Sequence, residues 1–393
     1  MQYRRFGRTE INMPVLSCGG MRYQYKWQDL PQSDIPDPEQ ANLEATIHRA
    51  LELGINHIET ARGYGSSEMQ LGQVLPTIPR DQLIIQTKIG PAPSGAQFLE
   101  KFETSMNYLK LEYVDLLAFH GVNTLGLLET VLKPGGCLEA VRHLQREGRV
   151  KRVGFSTHGP ASVIVSACET GEFDYMNLHW YWVNNFNWPA IEAATKRDMG
   201  VFIISPTDKG GMLQAPPERL VELCAPLAPM QFNDLYCLSH PEVHTLSIGA
   251  ARPTDFDAHV EALDNYDDIE TAIAPIKQRL HSELVSCCGE AWANSWWVGL
   301  PECTKVPGEV NVQEILRLWT HVKTYDLVEW AKSRYNLLGN ADHWQPGNNA
   351  AEFDESEILD AVKNSPFAAQ IPGILRETHS LLYRAPAKRQ SES

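Results

Sequence analysis

A chain of 393 residues, 43% of them hydrophobic, is long enough for a large α/β domain followed by a second region. Its formal net charge of −15 argues against a nucleic-acid partner or an anionic membrane surface, because both attract basic faces. There is no apolar run of about 18 residues, and residues 1–8 lack the apolar stretch of a signal peptide. We therefore expect a cytoplasmic protein whose partner is a small molecule.

The first predicted element is a small hairpin over residues 2–12 that turns at residues 7–9. Short apolar runs then recur, and each is followed by a stretch with helical spacing, such as residues 95–109. The eight runs are residues 15–18, 55–59, 83–88, 114–120, 150–157, 175–179, 201–205 and 245–249.

This alternation of strands and helices predicts a parallel sheet with right-handed crossovers. Eight repeats in roughly 250 residues match the size of a (β/α)8 TIM barrel. An open doubly wound sheet is the alternative, but no glycine-rich dinucleotide fingerprint follows the first run. We therefore predict an α/β fold in which a (β/α)8 barrel follows the hairpin.

The pattern changes after about residue 270, where Trp292, Trp296 and Trp297 cluster in a stretch bounded by Gly and Pro. We predict two domains: the barrel over residues 1–270 and a C-terminal, mainly helical, Trp-rich extension over residues 271–393. The extension contains predicted helices over residues 273–286, 312–335, 358–362 and 371–382, and then a polar tail, expected to be disordered, over residues 385–393.

The cysteines are scattered through the chain, as free buried thiols of a reducing compartment would be. A secreted disulfide-rich domain is instead short and dense in cysteine. The eight are Cys18, Cys137, Cys168, Cys224, Cys237, Cys287, Cys288 and Cys303.

Four side chains with acid–base chemistry follow consecutive predicted strands. Glu59 ends the second run, and Tyr64 lies five residues further on. Lys88 ends the third run, and His120 ends the fourth. The C-termini of the strands in a parallel barrel meet at one mouth, where active sites are built. We therefore expect these four side chains to lie close together.

Together, these residue types suit protonation of a carbonyl oxygen. A phenol with a pKa of about 10 is a poor acid at neutral pH, but a neighbouring ammonium favours the phenolate. A carboxylate keeps the lysine charged, and a histidine orients the carbonyl. None of them can deliver a hydride, so a reductase needs a nicotinamide cofactor. Taken singly, each has a structural explanation as an ion pair, a packing tyrosine or a core histidine.

Five stretches match a known pattern: GINHIETARGYGSSEMQLG at 54–72, IIQTKIG at 84–90, DLLAFHG at 115–121, RVGFSTH at 152–158 and IISPTDKGGML at 203–213. At these residues the chain resembles the aldo-keto reductase family, over about residues 1–270. The resemblance implies a barrel that binds NADPH without a Rossmann fold. It also implies that Tyr64 is the general acid, that Lys88 lowers its pKa and that His120 orients the substrate. Glu59 stands at the aspartate position of the catalytic tetrad.

Two positions depart from the family's pattern. Glu59 keeps the charge of the usual aspartate but shifts the carboxylate by about an ångström, and such displacements can lower a rate. We expect Glu59 still to pair with Lys88, with low activity on common aldehydes. Ile204 stands where many members carry a tyrosine that stacks under the nicotinamide, so the ring would pack on an aliphatic face.

The resemblance also implies a set of residues that contact NADPH. A guanidinium suits the phosphate position because it can donate two parallel hydrogen bonds. The set is Ser156, Thr157 and Asn177 at the carboxamide, Ser205 and Gly210 near the pyrophosphate, Gly249 and Arg252 at the adenosine 2′-phosphate, and Gly20 and Met21 at the mouth of the barrel.

The extension resembles the C-terminal region of the iron–sulfur branch of the family, in which a helical module carries a ferredoxin-like cysteine run. Such a cluster needs four closely spaced thiolates. Here Cys303 is present, but Val306 stands where a cysteine would precede the next proline, and Cys287 and Cys288 are adjacent and far upstream. We therefore expect that the cluster is lost and that the chain holds no metal.

The sequence supports first an NADPH-dependent oxidoreductase that reduces an aldehyde or ketone, with the proton from Tyr64. Two alternatives remain. Lys88 at a barrel mouth could form a Schiff base, as in a lyase. The Glu59 substitution and the large extension are also compatible with a non-catalytic NADPH-binding redox sensor.

Overall fold

The computed structural model of the chain describes residues 1–384. Its N-terminal hairpin pairs strand β1 (Tyr3–Arg5) antiparallel to strand β2 (Asn12–Pro14), with a 3₁₀ turn at Gly7–Thr9 between them. Gly7 has a φ of +52°, and a Cβ there would lie 2.5 Å from the carbonyl oxygen of Asp198. The turn therefore requires glycine, and the predicted hairpin is confirmed.

Eight further strands are parallel to one another and close into a barrel. In chain order they are β3 (Leu16–Gly19), β4 (His57–Glu59), β5 (Ile84–Ile89), β6 (Val114–Phe119), β7 (Val150–Ser156), β8 (Tyr175–Leu178), β9 (Gly200–Ile203) and β10 (Thr245–Ile248). Strand β10 pairs with β3 and closes the ring. Each strand overlaps one of the eight apolar runs, so the predicted (β/α)8 barrel is confirmed.

Helices connect the strands. Side-chain caps fix two of their starts, since Ser94 Oγ accepts from the Gln97 amide at 3.3 Å and Thr124 Oγ1 from the Leu127 amide at 3.2 Å. The helices up to the last barrel strand and just beyond it are α1 (Asp37–Glu52), α2 (Ser67–Val74), α3 (Gly95–Leu109), α4 (Leu125–Leu132), α5 (Cys137–Arg146), α6 (Ala161–Glu169), α7 (Trp188–Thr195), α8 (Glu218–Cys224), α9 (Pro229–Leu238) and α10 (Asp257–Ala262).

One apolar cluster of the core joins the hairpin to the barrel strands. Phe6, beside β1, is fully buried, and its ring centroid lies 5.7 Å from that of Tyr175 on β8. The buried members of this cluster are Phe6, Met13, Leu116, Ala118, Tyr175 and Phe202. Hairpin and strand side chains pack together here, so this part of the barrel interior is a packed core. In such barrels the chemistry lies at the strand ends.

Strand register places the predicted site residues towards the same end of the barrel. Gly19 is the partner of Glu59 across β3 and β4, and Lys88 is the partner of Ala118 across β5 and β6. Ser156 is likewise the partner of Asn177 across β7 and β8. These residues lie at or near the C-terminal ends of their strands, which is the end that carries function in such barrels.

The chain divides into two compact units. The first consists of Met1–Tyr181, Asn185–Pro206 and Asp234–Asp267, and the second of Trp182–Asn184, Thr207–Asn233 and the chain from Asp268 onward. The second unit therefore includes two segments that follow β8 and β9. The division into domains at residue 270 stays a proposal.

The second unit contains the helices predicted for the extension, with two differences: a helix over Glu290–Ser295 was not predicted, and the predicted helix over residues 312–335 is divided. They are α11 (Ile269–Cys288), α12 (Glu290–Ser295), α13 (Val312–Tyr325), α14 (Val328–Tyr335), α15 (Glu355–Ala361) and α16 (Ile371–Leu382). The prediction of one continuous helix over residues 312–335 was wrong. Asp326 adopts a left-handed φ of 57° and ends α13, which aspartate tolerates better than most residues.

No helix within residues 1–384 is long and apolar enough to cross a membrane. The tail over residues 385–393, which the sequence predicts to be disordered, lies outside the described residues.

Candidate active site

The structure brings Glu59 and Lys88 together at the ends of neighbouring strands. The Lys88 ammonium forms an ion pair with Glu59 Oε1 and donates a hydrogen bond to the Thr60 carbonyl oxygen at 3.0 Å. Glu59 is only 2% exposed and Lys88 only 1%. The longer glutamate side chain, which departs from the family's aspartate, therefore still reaches the lysine.

Burial dominates the electrostatics of this pair. Desolvation lowers the pKa of Lys88 well below its usual value, because the enclosed ammonium has lost its water. The Glu59 carboxylate opposes that shift, since an opposite charge at contact favours the charged lysine. The protonation state of Lys88 therefore depends on Glu59.

Tyr64 lies beside this pair in the loop after β4. The Lys88 Nζ atom is 4.7 Å from the centroid of the Tyr64 ring. Gly65, with a φ of +52°, packs against Lys26 and Trp27 so closely that a Cβ would lie 2.0 Å from the Lys26 carbonyl oxygen. The loop therefore follows a path that only glycine allows, and it presents Tyr64 to the lysine.

His120 completes the group of four. It follows β6 directly, and its amide donates to the Ile89 carbonyl oxygen at 2.8 Å. Its ring meets the Tyr64 ring edge-on, with centroids 5.6 Å apart and an interplanar angle of 85°. The four residues predicted from the sequence are thus neighbours, and together they offer a phenol, an ammonium and an imidazole to one small volume.

Asn177 on β8 is a buried amide whose hydrogen bonds are unmade. Its side chain is 0% exposed, and neither Oδ1 nor Nδ2 has a hydrogen-bond partner among residues 1–384. Buried amides in proteins are ordinarily paired, because an unmet donor or acceptor costs about 1–3 kcal/mol. Asn177 can therefore offer one acceptor and two donors to a ligand that carries an amide of its own.

Comparison with known proteins decides the family. The sequence model described as the Aldo/keto reductase family matches residues 15–223, more than half of the chain. The chain belongs to the aldo/keto reductase family. A holo-form aldo-keto reductase from Bacillus halodurans has a similar fold, with a TM-score of 0.60 and 21% identity, over 71% of this chain and 96% of that one.

Two relatives of this aldo/keto reductase are similar to it in sequence over part of their length. L-glyceraldehyde 3-phosphate reductase of Escherichia coli (strain K12) is 30% identical over 176 residues, which is 41% of this chain and 46% of that protein. L-galactose dehydrogenase of Arabidopsis thaliana is 28% identical over 242 residues, which is 56% of this chain and 69% of that protein. The chain thus spans about half the length of the first relative.

Ser156 and Thr157, the other predicted carboxamide residues of this aldo/keto reductase, are both 1% exposed and already hydrogen-bonded. Ser156 Oγ accepts from the Gly121 amide at 3.2 Å. Thr157 Oγ1 donates to the Val122 carbonyl oxygen and accepts from the Gly159 amide, both at 2.9 Å. These side chains fix the loops after β6 and β7, and their cofactor role stays a prediction.

The remaining predicted cofactor residues lie in loops after other strands. Gly20 must be glycine, because a Cβ would lie 2.5 Å from the Glu59 carbonyl oxygen; Met21 follows it. Ser205 has a left-handed φ of 54°. Gly249 packs on Arg22, and its Cβ would lie 3.0 Å from the Arg22 Cδ. Gly210 belongs to the second unit.

Arg252, predicted at the 2′-phosphate, is on the surface. Its side chain is 72% exposed, and its Nε pairs with Asp255 Oδ1 at 3.0 Å. The pair is local, three residues apart in sequence, so the guanidinium keeps most of its surface in water. A phosphate would have to compete with Asp255 for this cation.

A second polar group, which was not predicted from the sequence, surrounds Arg62 in the loop that carries Tyr64. Arg62 pairs with the fully buried Glu68 at 2.5 Å and with Asp29, and its amide donates to the Lys88 carbonyl oxygen at 2.8 Å. Thr87 Oγ1 donates to Glu68 at 2.6 Å. The signal lay within the quoted motif, since Arg62 stands between the predicted acid and carboxylate, but its partners lie elsewhere in the chain.

Cys287, Cys288 and Cys303, which the sequence places in the extension, differ in their surroundings. Cys287 is exposed and its thiol donates to Glu283 at 3.4 Å, Cys288 is half-buried, and Cys303 is buried. Burial raises the pKa of each thiol, which disfavours the thiolate that a metal binds. Within residues 1–384, no group of three or more His, Cys, Asp or Glu side chains is placed to hold a metal ion.

Proposed function

We propose that this aldo/keto reductase uses NADPH to reduce an aldehyde or ketone to an alcohol, with Tyr64 as the proton donor. The observation that carries the proposal is the buried Glu59–Lys88 ion pair beside the Tyr64 ring, with His120 edge-on to that ring. An isolated structural ion pair would not need a phenol and an imidazole as neighbours. The four together suit protonation of a carbonyl oxygen.

The roles follow from the chemistry of each group. Lys88, held charged by Glu59, favours the phenolate of Tyr64 and so eases release of the phenol proton. His120 beside the phenol orients the carbonyl oxygen by a hydrogen bond. The nicotinamide, when bound, supplies the hydride to the carbonyl carbon. The carbonyl oxygen then takes the Tyr64 proton, which gives the alcohol and leaves a phenolate for solvent to reprotonate.

The unmet amide of Asn177 supports a nicotinamide cofactor. A carboxamide carries the same donor and acceptor as the asparagine side chain, so the two can pair head to head. The pairing would satisfy both buried atoms without moving the backbone of β8. Ser156 and Thr157 at the neighbouring strand end would then border the ring, and Arg252 with Gly249 would lie at the adenosine phosphate.

The names of the relatives support the reaction class. One is named as a reductase of L-glyceraldehyde 3-phosphate and the other as a dehydrogenase of L-galactose, so both names are those of oxidoreductases. We propose the same class for this chain, with a small carbonyl compound as its partner.

The test is a titration of the purified protein with NADPH and, separately, NADH, followed by a panel of aldehydes, ketones and quinones. We expect tighter binding of NADPH and its oxidation by at least one carbonyl. Tyr64→Phe should abolish turnover and leave the NADPH dissociation constant unchanged, because the ring stays and only the hydroxyl is lost. Tight binding without any turnover would instead indicate a redox sensor, and no nucleotide binding would refute the proposal.

One observation favours a second candidate. A lysine whose pKa is lowered by burial can act as a nucleophile and form a Schiff base. However, Glu59 and the Thr60 carbonyl oxygen hold Lys88 as an ammonium, which has no lone pair with which to attack a carbonyl carbon. Trapping of a carbonyl substrate on Lys88 by borohydride would reverse this preference.

We further propose that residues 271–393 form a separate domain, related to the extension of the iron–sulfur branch, in which the cluster has been lost. The sequence spacing supports this loss, because Cys287 and Cys288 are adjacent and Cys303 lies 15 residues after Cys288. Iron and sulfide analysis of protein purified without oxygen tests it, and stoichiometric iron would contradict it. The cytoplasmic location expected from the sequence stays a prediction.

A further inference from the structure

The second unit combines the helices of the extension with two short segments from the barrel half of the sequence. These segments, Trp182–Asn184 and Thr207–Asn233, follow strands β8 and β9. The loops that follow such strands form the active sites of (β/α)8 barrels. What holds these two segments within the second unit therefore bears on the reaction.

Trp330 on α14 holds the later segment through its indole. It is 1% exposed, and its Nε1–H donates to the Lys209 carbonyl oxygen at 3.1 Å. Lys209 is the residue before Gly210, which is predicted near the cofactor pyrophosphate. Leu327, at the start of the same helix, has its side chain 3.6 Å from the position of a Cβ on Gly211. One helix thus contacts the segment on both sides of Gly210.

Arg317 and His321 on α13 hold the earlier segment. Arg317 Nη1 donates to the Val183 carbonyl oxygen at 3.1 Å, and His321 Nε2 lies 3.0 Å from the same oxygen. A carbonyl oxygen only accepts, so Nε2 carries the proton of a neutral imidazole; burial lowers the pKa of His321 to about 3. Two donors one helical turn apart therefore converge on a single backbone oxygen.

A buried ion pair fixes the direction of these donors. Glu314 accepts from Arg317 Nε at 3.0 Å and from Nη2 at 2.6 Å, and Gln345 donates to Glu314 at 3.2 Å. The Arg317 guanidinium also lies over the Trp330 ring, 5.1 Å from its centroid. Burying such a pair costs desolvation, and its best-attested benefit is a unique geometry. Here the geometry joins the residues that hold the two segments.

We propose that Arg317, His321 and Trp330, which we call the clamp, are positioning residues for the cofactor. The clamp fixes the backbone path of the segments after β8 and β9. Within it, Trp330 fixes the position of the backbone around Gly210. This proposal rests on the proposed function, because it assigns the clamped segment to NADPH. The extension is then a part of the cofactor site's support and takes no part in the chemical step.

Trp330→Phe tests the clamp because it removes the indole N–H and keeps an aromatic ring under Arg317. Trp292→Phe is a matched control. Trp292 is also buried in the second unit, and its Nε1–H donates to Thr320 Oγ1 at 3.0 Å, on the same helix α13 but away from both segments. Each variant therefore loses one buried indole hydrogen bond, and only one of them loses a bond to the segment.

We expect Trp330→Phe to weaken NADPH binding, measured by calorimetry, about three- to tenfold, which is the usual effect of one buried hydrogen bond. Trp292→Phe should stay within about twofold of the unchanged protein. At saturating NADPH, kcat should be the same in all three proteins, because the clamp does not touch the reacting atoms. Equal weakening in both variants, or none in Trp330→Phe, would overturn the proposal.

A second measurement separates this proposal from the proposed function. The amides of Met212 and Leu213 donate within the segment, to Asp208 at 2.8 Å and to Thr207 at 2.9 Å. Hydrogen exchange at these amides should be roughly three- to tenfold faster in Trp330→Phe and unchanged in Trp292→Phe. If the unchanged protein binds no NADPH, the proposed function fails, and exchange alone decides whether the clamp exists. Unchanged exchange in Trp330→Phe would refute the clamp even if NADPH binds.

Discussion

Two of the acid–base pairs buried within residues 1–384 invite comparison, Glu59–Lys88 in the first unit and Glu314–Arg317 in the second. Both basic groups donate to a backbone carbonyl as well as to their carboxylate, Lys88 to Thr60 and Arg317 to Val183. The difference lies in the cation. Lysine loses its proton readily when buried, whereas arginine stays charged and presents a rigid planar fork.

The surroundings of the two pairs also differ in whether they contain a group that can exchange a proton. Lys88 faces a phenol and is the group whose pKa burial lowers. Arg317 faces an indole ring and a carbonyl oxygen, neither of which exchanges a proton. The comparison teaches that a buried ion pair is a candidate for catalysis when its cation can change charge and a proton donor is beside it. A buried ion pair without these features contributes by fixing the geometry of the residues around it.

The largest expected effect is on the Glu59–Lys88 pair. Lys88→Met removes the ammonium beside Tyr64, and kcat/KM for a carbonyl substrate should fall about 10²- to 10⁴-fold, the usual contribution of acid–base catalysis. The measurement is steady-state kinetics. NADPH affinity serves as the control and should change little. A fall of less than about tenfold would mean that Lys88 is a structural residue.

The second effect is on the structural pair. Arg317→Met leaves the Glu314 charge buried without its partner, and the free energy of unfolding should drop by about 3–5 kcal/mol. The double variant Glu314→Gln with Arg317→Met should recover part of this loss, because it buries no charge. Urea denaturation measures both. If the single and double variants are equally unstable, the charge of Glu314 is not the cause.

A smaller effect is expected from Glu59→Asp, which restores the family's usual residue. Gly19 packs next to the longer glutamate side chain. A Cβ at that position would lie 3.4 Å from Glu59 Oε2, so the glycine leaves room for the glutamate. The shorter carboxylate should retreat from Lys88 by about an ångström and lower kcat up to about tenfold. An increase in kcat would show that the glutamate is the poorer residue here. Glu59→Gln, which loses the charge, should lower kcat further.

The smallest effect is the acid response of the second pair. Burial alone would raise the pKa of Glu314, but the charge and hydrogen bonds of Arg317 outweigh it, and the pKa lies below its usual value of 4.5. A folded-state pKa below that of the unfolded chain gives stability above pH 4.5 that is lost as the pH falls through the folded value. The melting temperature should therefore fall less between pH 6 and pH 3 in the Glu314→Gln, Arg317→Met double variant. Each kcal/mol amounts to about 2 to 4 °C in Tm.

The barrel was predictable because its signal is local. Each strand is a short apolar run bounded by turns, and the residues of the mouth stand at the ends of such runs, so Glu59, Lys88 and His120 could be found by counting. The break in the predicted helix over residues 312–335 was not visible in the same way. Apolar spacing continues through Asp326, and only its backbone angle ends the helix.

Contacts that join distant parts of the chain could not be predicted. Arg62 stands inside a recognised motif, but nothing near it in sequence names Asp29 as a partner. The Asn177 side chain lacks hydrogen-bond partners because no described residue places a donor or an acceptor beside it, which the sequence around Asn177 does not show. The bond between Trp330 and Lys209 spans 121 positions, and a tryptophan at helical spacing ordinarily indicates only a core residue.

The cluster that fills the barrel at Phe6 has a consequence for synthesis of the chain. Phe6 packs with Tyr175 and Phe202, about 200 residues later in the sequence. At translation rates of roughly 5 to 20 residues per second, Phe6 leaves the ribosome about 10 to 40 s before Phe202 is made. Throughout that interval the hairpin lacks its packing partners on β8 and β9, and its apolar side chains are accessible to chaperones. Residues that are synthesised early are thus among the last to pack.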